Sequence, residues 1–174
     1  MTDIKVYDNF LNVDVFKKIQ RQCFSDIHWV YDDTVSNRFD KQQMCDEKYN
    51  WQMAHLFYHT PDVISKDTMP ILADVYSKLN IAVLIKAKAN FNIVTDKIIE
   101  HGLHIDVEQI AGICTTAILY LNTNNGYTIF EDGTKVESVA NRLVKFPTGT
   151  KHSGTSCTDI HNRMVINFNY CKKF

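Results

Sequence analysis

The sequence predicts an α+β chain: a double-stranded β-helix (jelly-roll) core with N-terminal helices packed on one sheet. Three observations carry this expectation. From residue 82 onward the chain is a series of β-branched and aromatic runs, "AVLIKAKANFNIV", "ICTTAILYLN", "GYTIF", "RLVKFP" and "RMVINFNY". Turn-forming clusters separate them: "NTNNG", "EDG" and "PTGTKHSG". Before residue 82 the apolar spacing is helical in two places. Many short strands with tight turns call for a sandwich or barrel, and a jelly roll manages its sheet edges by folding over on itself.

Taken in order, "KVYDNF" reads as a short edge strand. Asn12 or Asp14 then caps a helix whose Val15, Phe16, Ile19 and Cys23 share one face. "NWQMAHLFYH" alternates loosely, as a strand does. Residues 61–80 read as helical, with Ile71, Leu72, Val75 and Leu79 on one side and Pro70 at a start or kink. We read one domain, 1–174, in two parts. Residues 1–81 form a helix-rich support that carries a substrate loop, and residues 82–174 form the jelly-roll core. No repeat or low-complexity linker interrupts it.

Hydrophobic residues make up 45% of the 174 and charged residues 22%, an ordinary globular composition that argues against disorder. The formal net charge of −1 gives no electrostatic reason to expect nucleic acid or a membrane as partner. No apolar run is long enough for a transmembrane helix, and the start, "MTDIKVYDNF", is too polar for a signal peptide. The five cysteines, Cys23, Cys45, Cys114, Cys157 and Cys171, are odd in number and contain no CxxC. They are expected to pack as small hydrophobes in a reducing cytoplasm.

The polar chemistry concentrates at "HGLHIDV", residues 101–107. On a strand, His104 and Asp106 point to the same face. Taken alone, the pair reads as a surface ion pair or a hydrogen-bonded strand end; a divalent-metal chelate is the alternative. Downstream, His152 lies in the polar turn "TGTKHSGT", and Arg163 opens the apolar strand "RMVINFNY". A guanidinium in such a strand needs a partner, because burying it unpaired is costly. A distant Asp or Glu is one partner; a ligand carboxylate, bound through two parallel N–H···O contacts, is the other.

Two histidines and one carboxylate can occupy one face of an octahedral Fe(II) and leave positions open. "HIDV", "CTTAILYLN", "NGYTIFEDG", "VKFPTGTKHSGT" and "NRMVINFNY" follow one another here in a definite order. Together they resemble the 2-oxoglutarate- and Fe(II)-dependent dioxygenases, in particular the prolyl 4-hydroxylase-like branch. The resemblance covers roughly residues 82–174, and "IKVYDNFLNVDVFKKI" is similar to the family's opening strand and helix.

The resemblance implies roles. His104, Asp106 and His152 are the iron ligands and the catalytic centre. Arg163 holds the distal carboxylate of 2-oxoglutarate, and Tyr120 touches the same carboxylate, although it reads equally as a core tyrosine. Thr128 and Ile118 line the cosubstrate pocket, and Asn90 faces it from a neighbouring strand. Fe(II), 2-oxoglutarate and O2 are the implied cofactors and cosubstrates, with ascorbate as a reductant. The implied reaction hydroxylates a peptidyl proline or a small molecule and releases succinate and CO2.

The chain departs from the family at a single glycine, Gly126, where two are usual. It departs again in a long His152–Arg163 interval, with "SCTDIHN" as a larger turn, and in lacking an upstream tyrosine. His101 and His161 are competing histidines, out of phase or crowding Arg163. The loops "YDDTVSNRFDKQQMCDEKYN" and "TDKIIEHG" would shape the entrance. Two other readings stay open: a non-catalytic jelly-roll binding module, and a cupin-like metal-dependent isomerase or hydrolase. Neither substrate identity nor oligomeric state is legible.

Overall fold

In a computed structural model of the chain, the residues described are 3–35, 45–63, 69–108 and 113–173. Eleven strands and two α-helices appear among them. Strand β1 is Lys5–Tyr7, followed by helix α1, Val13–Ser25, and strand β2, Val30–Asp32. Strands β3 (Gln52–His59) and β4 (Asp62–Val63) precede α2 (Ala73–Leu79). The remaining strands are β5 (Ile81–Ile93), β6 (Thr115–Tyr120), β7 (Tyr127–Phe130), β8 (Lys135–Glu137), β9 (Leu143–Pro147), β10 (His152–Gly154) and β11 (Asn162–Lys172).

The strands form two antiparallel sheets. The larger runs β1-β9-β6-β11-β5-β3-β2, with β4 paired to β3; the smaller runs β10-β7-β8. This is the expected jelly roll, elaborated on one side. The first 81 residues supply two α-helices and four strands, and β3 pairs directly with β5. The large sheet therefore runs across the boundary between the two expected parts, and the N-terminal part is less helical than its sequence suggested.

Strand alternation separates two environments. Ala87 and Ala89 of β5, Ala117 and Leu119 of β6, and Met164, Ile166 and Phe168 of β11 point outward and are buried under the helices. They meet Phe16, Ile19 and Cys23 of α1 and Val75 and Leu79 of α2. Each large side chain buried there contributes about 1.5–3 kcal/mol. The other face of the same strands looks toward the small sheet. There Ile118, Tyr120, Phe130, Val136, Val144, Phe146 and Val165 form a second core at one end. The polar residues of β5 and β11 face a cavity at the other.

Asn12 caps α1, accepting from the Asp14 amide at 2.9 Å. The helix expected over residues 61–80 is shorter. Asp62 and Val63 pair back onto β3 with Val63 opposite Tyr58, so the chain reverses instead of starting a helix. A 3-10 turn, Met69–Leu72, contains Pro70 and leads into α2, which ends on Asn80 in the left-handed region at φ 55°. Residues 36–44 of the expected entrance loop lie outside the described residues. No helix among the described residues is long and apolar enough to cross a membrane.

The cysteines depart from expectation. Cys114, just before β6, and Cys171, near the end of β11, form a disulfide, with Cα atoms 4.6 Å apart. The two strands are neighbours in register, Tyr170 lying opposite Thr115, so the next positions outward face one another closely enough to bond. Cys23, Cys45 and Cys157 are free, and Cys23 and Cys157 are buried as small hydrophobes. The bond removes the cysteine-based reason for expecting a reducing compartment.

Candidate active site

A cavity of about 330 Å³ opens between the two sheets. His104, Asp106, His152, Ile118, Thr128, Arg163 and Asn90, all singled out from sequence, line it. His104 does not sit in a regular strand. It makes a single antiparallel bridge to His152, and Asp106 follows on a bend. His152 was expected in a turn and instead opens β10, opposite Phe130 of β7. The turn ends earlier, where the Thr150 amide bonds the Pro147 carbonyl at 2.9 Å. The bridge brings together two residues 48 positions apart, which is why the local spacing could not place them.

The ligand atoms of His104, Asp106 and His152 all lie within 4.8 Å of one another. Asp106 Oδ1 is 3.5 Å from His104 Nε2 and 3.8 Å from His152 Nε2. Each imidazole is oriented from behind: His104 Nδ1 is 3.1 Å from the Gly102 carbonyl, and His152 Nδ1 is 3.1 Å from the Thr150 carbonyl. A carbonyl can only accept, so each Nδ1 carries a proton and each Nε2 is the nitrogen that faces inward. Phe146 packs against His152 with ring centroids 4.8 Å apart.

Asp106 is fixed from its other oxygen. Asn169 of β11 donates to Oδ2 at 3.1 Å and to Thr116 Oγ1 at 2.9 Å. Burial disfavours the carboxylate, but His152, His104 and Lys86 around it outweigh burial and hold its pKa well below the usual range. His152 is pushed down by burial, which keeps it neutral and able to donate a lone pair. Burial also disfavours a charged His104, but its hydrogen bond to Asp106 and the charge of that carboxylate outweigh burial and raise its pKa. Two imidazole nitrogens and one carboxylate oxygen thus converge from one side with the cavity opposite. Such a donor set suits a first-row divalent metal held facially with positions left open.

Arg163 is 2% exposed. Its Nε donates to Ser138 Oγ at 2.7 Å and its Nη2 to Thr128 Oγ1 at 3.2 Å. Among the described residues no carboxylate pairs with it, so the internal acid considered from sequence is not found there. Burial pushes its pKa down from the usual value. Gly126 makes room for it: a Cβ there would stand 2.7 Å from Arg163 Cδ and 2.5 Å from the Ser156 carbonyl oxygen. The lone glycine of "NGYTIF" thus sits where no side chain fits.

Tyr120 is fully buried one layer behind the cavity wall. Its hydroxyl donates to Thr128 Oγ1 at 2.8 Å, and its ring lies under the Arg163 guanidinium at 5.6 Å. His101 is buried outside the triad with Nδ1 3.7 Å from Cys45 Sγ, and His161 is exposed.

Sequence reasoning missed Lys86, Asn92, Asn167, Asn169, Thr116 and Ser138. A signal for part of this set was present. In "RMVINFNY", Arg163, Asn167 and Asn169 fall at odd positions of one strand and so share its inner face. Asn90 Oδ1, Asn92 Nδ2 and Asn167 Oδ1 are buried on this wall without hydrogen-bond partners among the described residues. Buried polar atoms are ordinarily paired, so these await a polar ligand or water.

No protein-family model matches the chain. No curated protein matches it either. Solved structures do. A prolyl-4-hydroxylase from Pseudomonas putida superposes with a TM-score of 0.61 at 13% identity, covering 99% of this chain and 94% of that one. A prolyl hydroxylase from Trichoplax adhaerens, in complex with a hypoxia-inducible-factor degradation-domain peptide, gives 0.63 at 14%, covering 99% and 84%. HygX from Streptomyces hygroscopicus, with nickel and 2-oxoglutarate bound, gives 0.63 at 10%, covering 99% and 84%. At these identities the likeness is one of fold: the chain has the jelly-roll architecture that these proteins share, over nearly its whole length.

Proposed function

We propose that this chain is a 2-oxoglutarate- and Fe(II)-dependent dioxygenase that hydroxylates a small molecule or a peptidyl residue. The observation that carries the reading is one cavity with a His–Asp–His donor triad and a buried guanidinium that has no carboxylate partner among the described residues. The likeness to HygX, which holds nickel and 2-oxoglutarate on the same fold, supports it.

In this reading His104, Asp106 and His152 hold the iron, and the chain works as one domain. With 2-oxoglutarate bound, the metal supplies oxidative decarboxylation to succinate and CO2, coupled to hydroxylation of the substrate. The protein's own part is placement. Arg163 offers its outward N–H group to the far carboxylate as a planar, permanently charged donor. Thr128 Oγ1 already accepts from Tyr120 and Arg163, so its own proton is free for the same carboxylate. Tyr120 acts through Thr128, holding its hydroxyl in that orientation. Ile118 and Val165 close the wall between Arg163 and the triad with apolar surface, which strengthens the charged contacts.

The test is spectroscopic. Addition of Fe(II) and 2-oxoglutarate to the anaerobic protein is expected to give a visible absorption band, lost when either is left out. Exposure to oxygen then yields succinate. Protein that binds Fe(II) but gives no 2-oxoglutarate-dependent band would instead be the non-catalytic jelly-roll module.

A further inference from the structure

Lys86 takes part in this arrangement only through space, as one of the groups that keep Asp106 ionised. It stands on the cavity-facing side of β5, in register with Asn169 on β11 and His59 on β3. Its side chain is half-buried, and among the described residues no hydrogen bond or ion pair engages its ammonium. Its neighbour Lys88 differs: Asp32 neutralises that charge at 2.7 Å. Burial pushes the Lys86 pKa down, and Asp106, Lys88 and Asp32 act on it only through space. A lysine held this way lacks an anion.

Position says which anion. Arg163 lies opposite Asn92 and Lys86 opposite Asn169, so the two cations stand well apart along one strand pair. Their backbones are six residues apart, about 20 Å along a strand. A five-carbon dicarboxylate running from Arg163 to the triad ends at the triad. Lys86 stands in the row of Asn169, away from Arg163, and it and Lys88 line both the cavity and a second groove of about 820 Å³ whose wall includes Ala54 and Leu56. One row from Lys86, the Asn167 Oδ1 acceptor is buried and unpaired. Charge points the same way. A divalent metal, Arg163 and Lys86, set against Asp106 and a dianionic cosubstrate, leave one positive charge in excess.

We propose that Lys86 binds the carboxylate of the hydroxylation substrate, which is a small free carboxylic acid, such as an amino or hydroxy acid, rather than a residue within a peptide. The proposal rests on the dioxygenase reading and narrows it. Lys86 anchors the acid at the groove, Asn167 Oδ1 accepts from an amino or hydroxyl group on the same molecule, and the carbon skeleton reaches toward the open face of the triad. A peptide-bound residue has an amide in place of the carboxylate and leaves Lys86 unpaired.

The test uses the anaerobic Fe(II)- and 2-oxoglutarate-loaded protein and a panel of the common L-amino acids, their 2-hydroxy analogues, the corresponding primary amides, and tripeptides carrying the same residue centrally. The first readout is perturbation of the visible band, which needs no turnover; the second is succinate released on adding oxygen. At least one free acid is expected to perturb the band and stimulate succinate release, with its amide and tripeptide weaker by about tenfold or more. Lys86→Met should erase that acid-over-amide preference, and Lys86→Arg should keep it. Amides or peptides that bind as well as acids, a preference that survives in Lys86→Met, or a panel in which no acid perturbs the band would each overturn the proposal. Absence of the band before any acid is added would count against the dioxygenase reading itself, so the two failures are distinguishable.

Discussion

Asn169 donates its amide to Asp106 Oδ2 at 3.1 Å and leaves Oδ1 facing both imidazoles. The contact links the end of β11 to a bend 63 residues earlier, and Thr116 on β6 braces it from the other side. A ligating carboxylate is only as well placed as the group behind it. Asn169→Ala is therefore expected to weaken Fe(II) binding by about 10–100-fold while the protein stays folded. Metal titration monitored by calorimetry, beside circular dichroism, checks both halves of that statement.

The ligands themselves should be less forgiving. Asp106→Ala or His152→Ala removes one of three donors, and succinate production should fall to background. Single-turnover assays under saturating Fe(II) measure this. Full production by Asp106→Ala would show that the metal is held elsewhere.

At the other end of the cavity, Arg163→Lys keeps the charge and loses the fork. Ser138 and Thr128 would each lose a donor they now receive. A weakening of 2-oxoglutarate binding by about tenfold or more is expected, read from an anaerobic titration of the visible band. An unchanged midpoint would remove Arg163 from the cosubstrate site.

Gly126 tests the same guanidinium sterically. An alanine Cβ would meet the Ser156 carbonyl oxygen at 2.5 Å and Arg163 Cδ at 2.7 Å. Both contacts are too close for any real Cβ, so the local backbone and Arg163 both have to shift. Gly126→Ala should cost about 1–3 kcal/mol in stability and raise the 2-oxoglutarate requirement as well. Denaturant melts and the titration above report the two effects separately.

The disulfide predicts a redox-dependent stability. Cys114 and Cys171 are 57 residues apart in sequence, so the bond restricts a long loop of the unfolded chain. On a chain-entropy estimate, its loss costs up to about 4 kcal/mol. Thermal melts with and without reductant, and of Cys171→Ser, should show matched decreases. An identical melting temperature in all three would mean that the strand pairing alone sets stability there.

Much of this protein was legible before any coordinates. The β-branched and apolar runs "CTTAILYLN" and "RMVINFNY" mark strands because such side chains suit a packed, pleated surface. Asn12 marks the start of α1 because a capping side chain acts within its own first turn. Arg163 could be named because a guanidinium in an apolar strand needs a partner, and His104, Asp106 and His152 because their segments follow the order of a family that the sequence resembles. Such properties are local, and a sequence states local properties directly.

Tertiary structure decided the rest. That His104 bridges His152, that Asn169 steadies Asp106, that Cys114 meets Cys171 and that Lys86 finds no contacting partner among the described residues all depend on which strands lie side by side. Register between distant segments is set by the sum of many weak packing contacts over the whole sheet. No short stretch of sequence contains that sum, so the pairings emerge only when the chain has closed on itself.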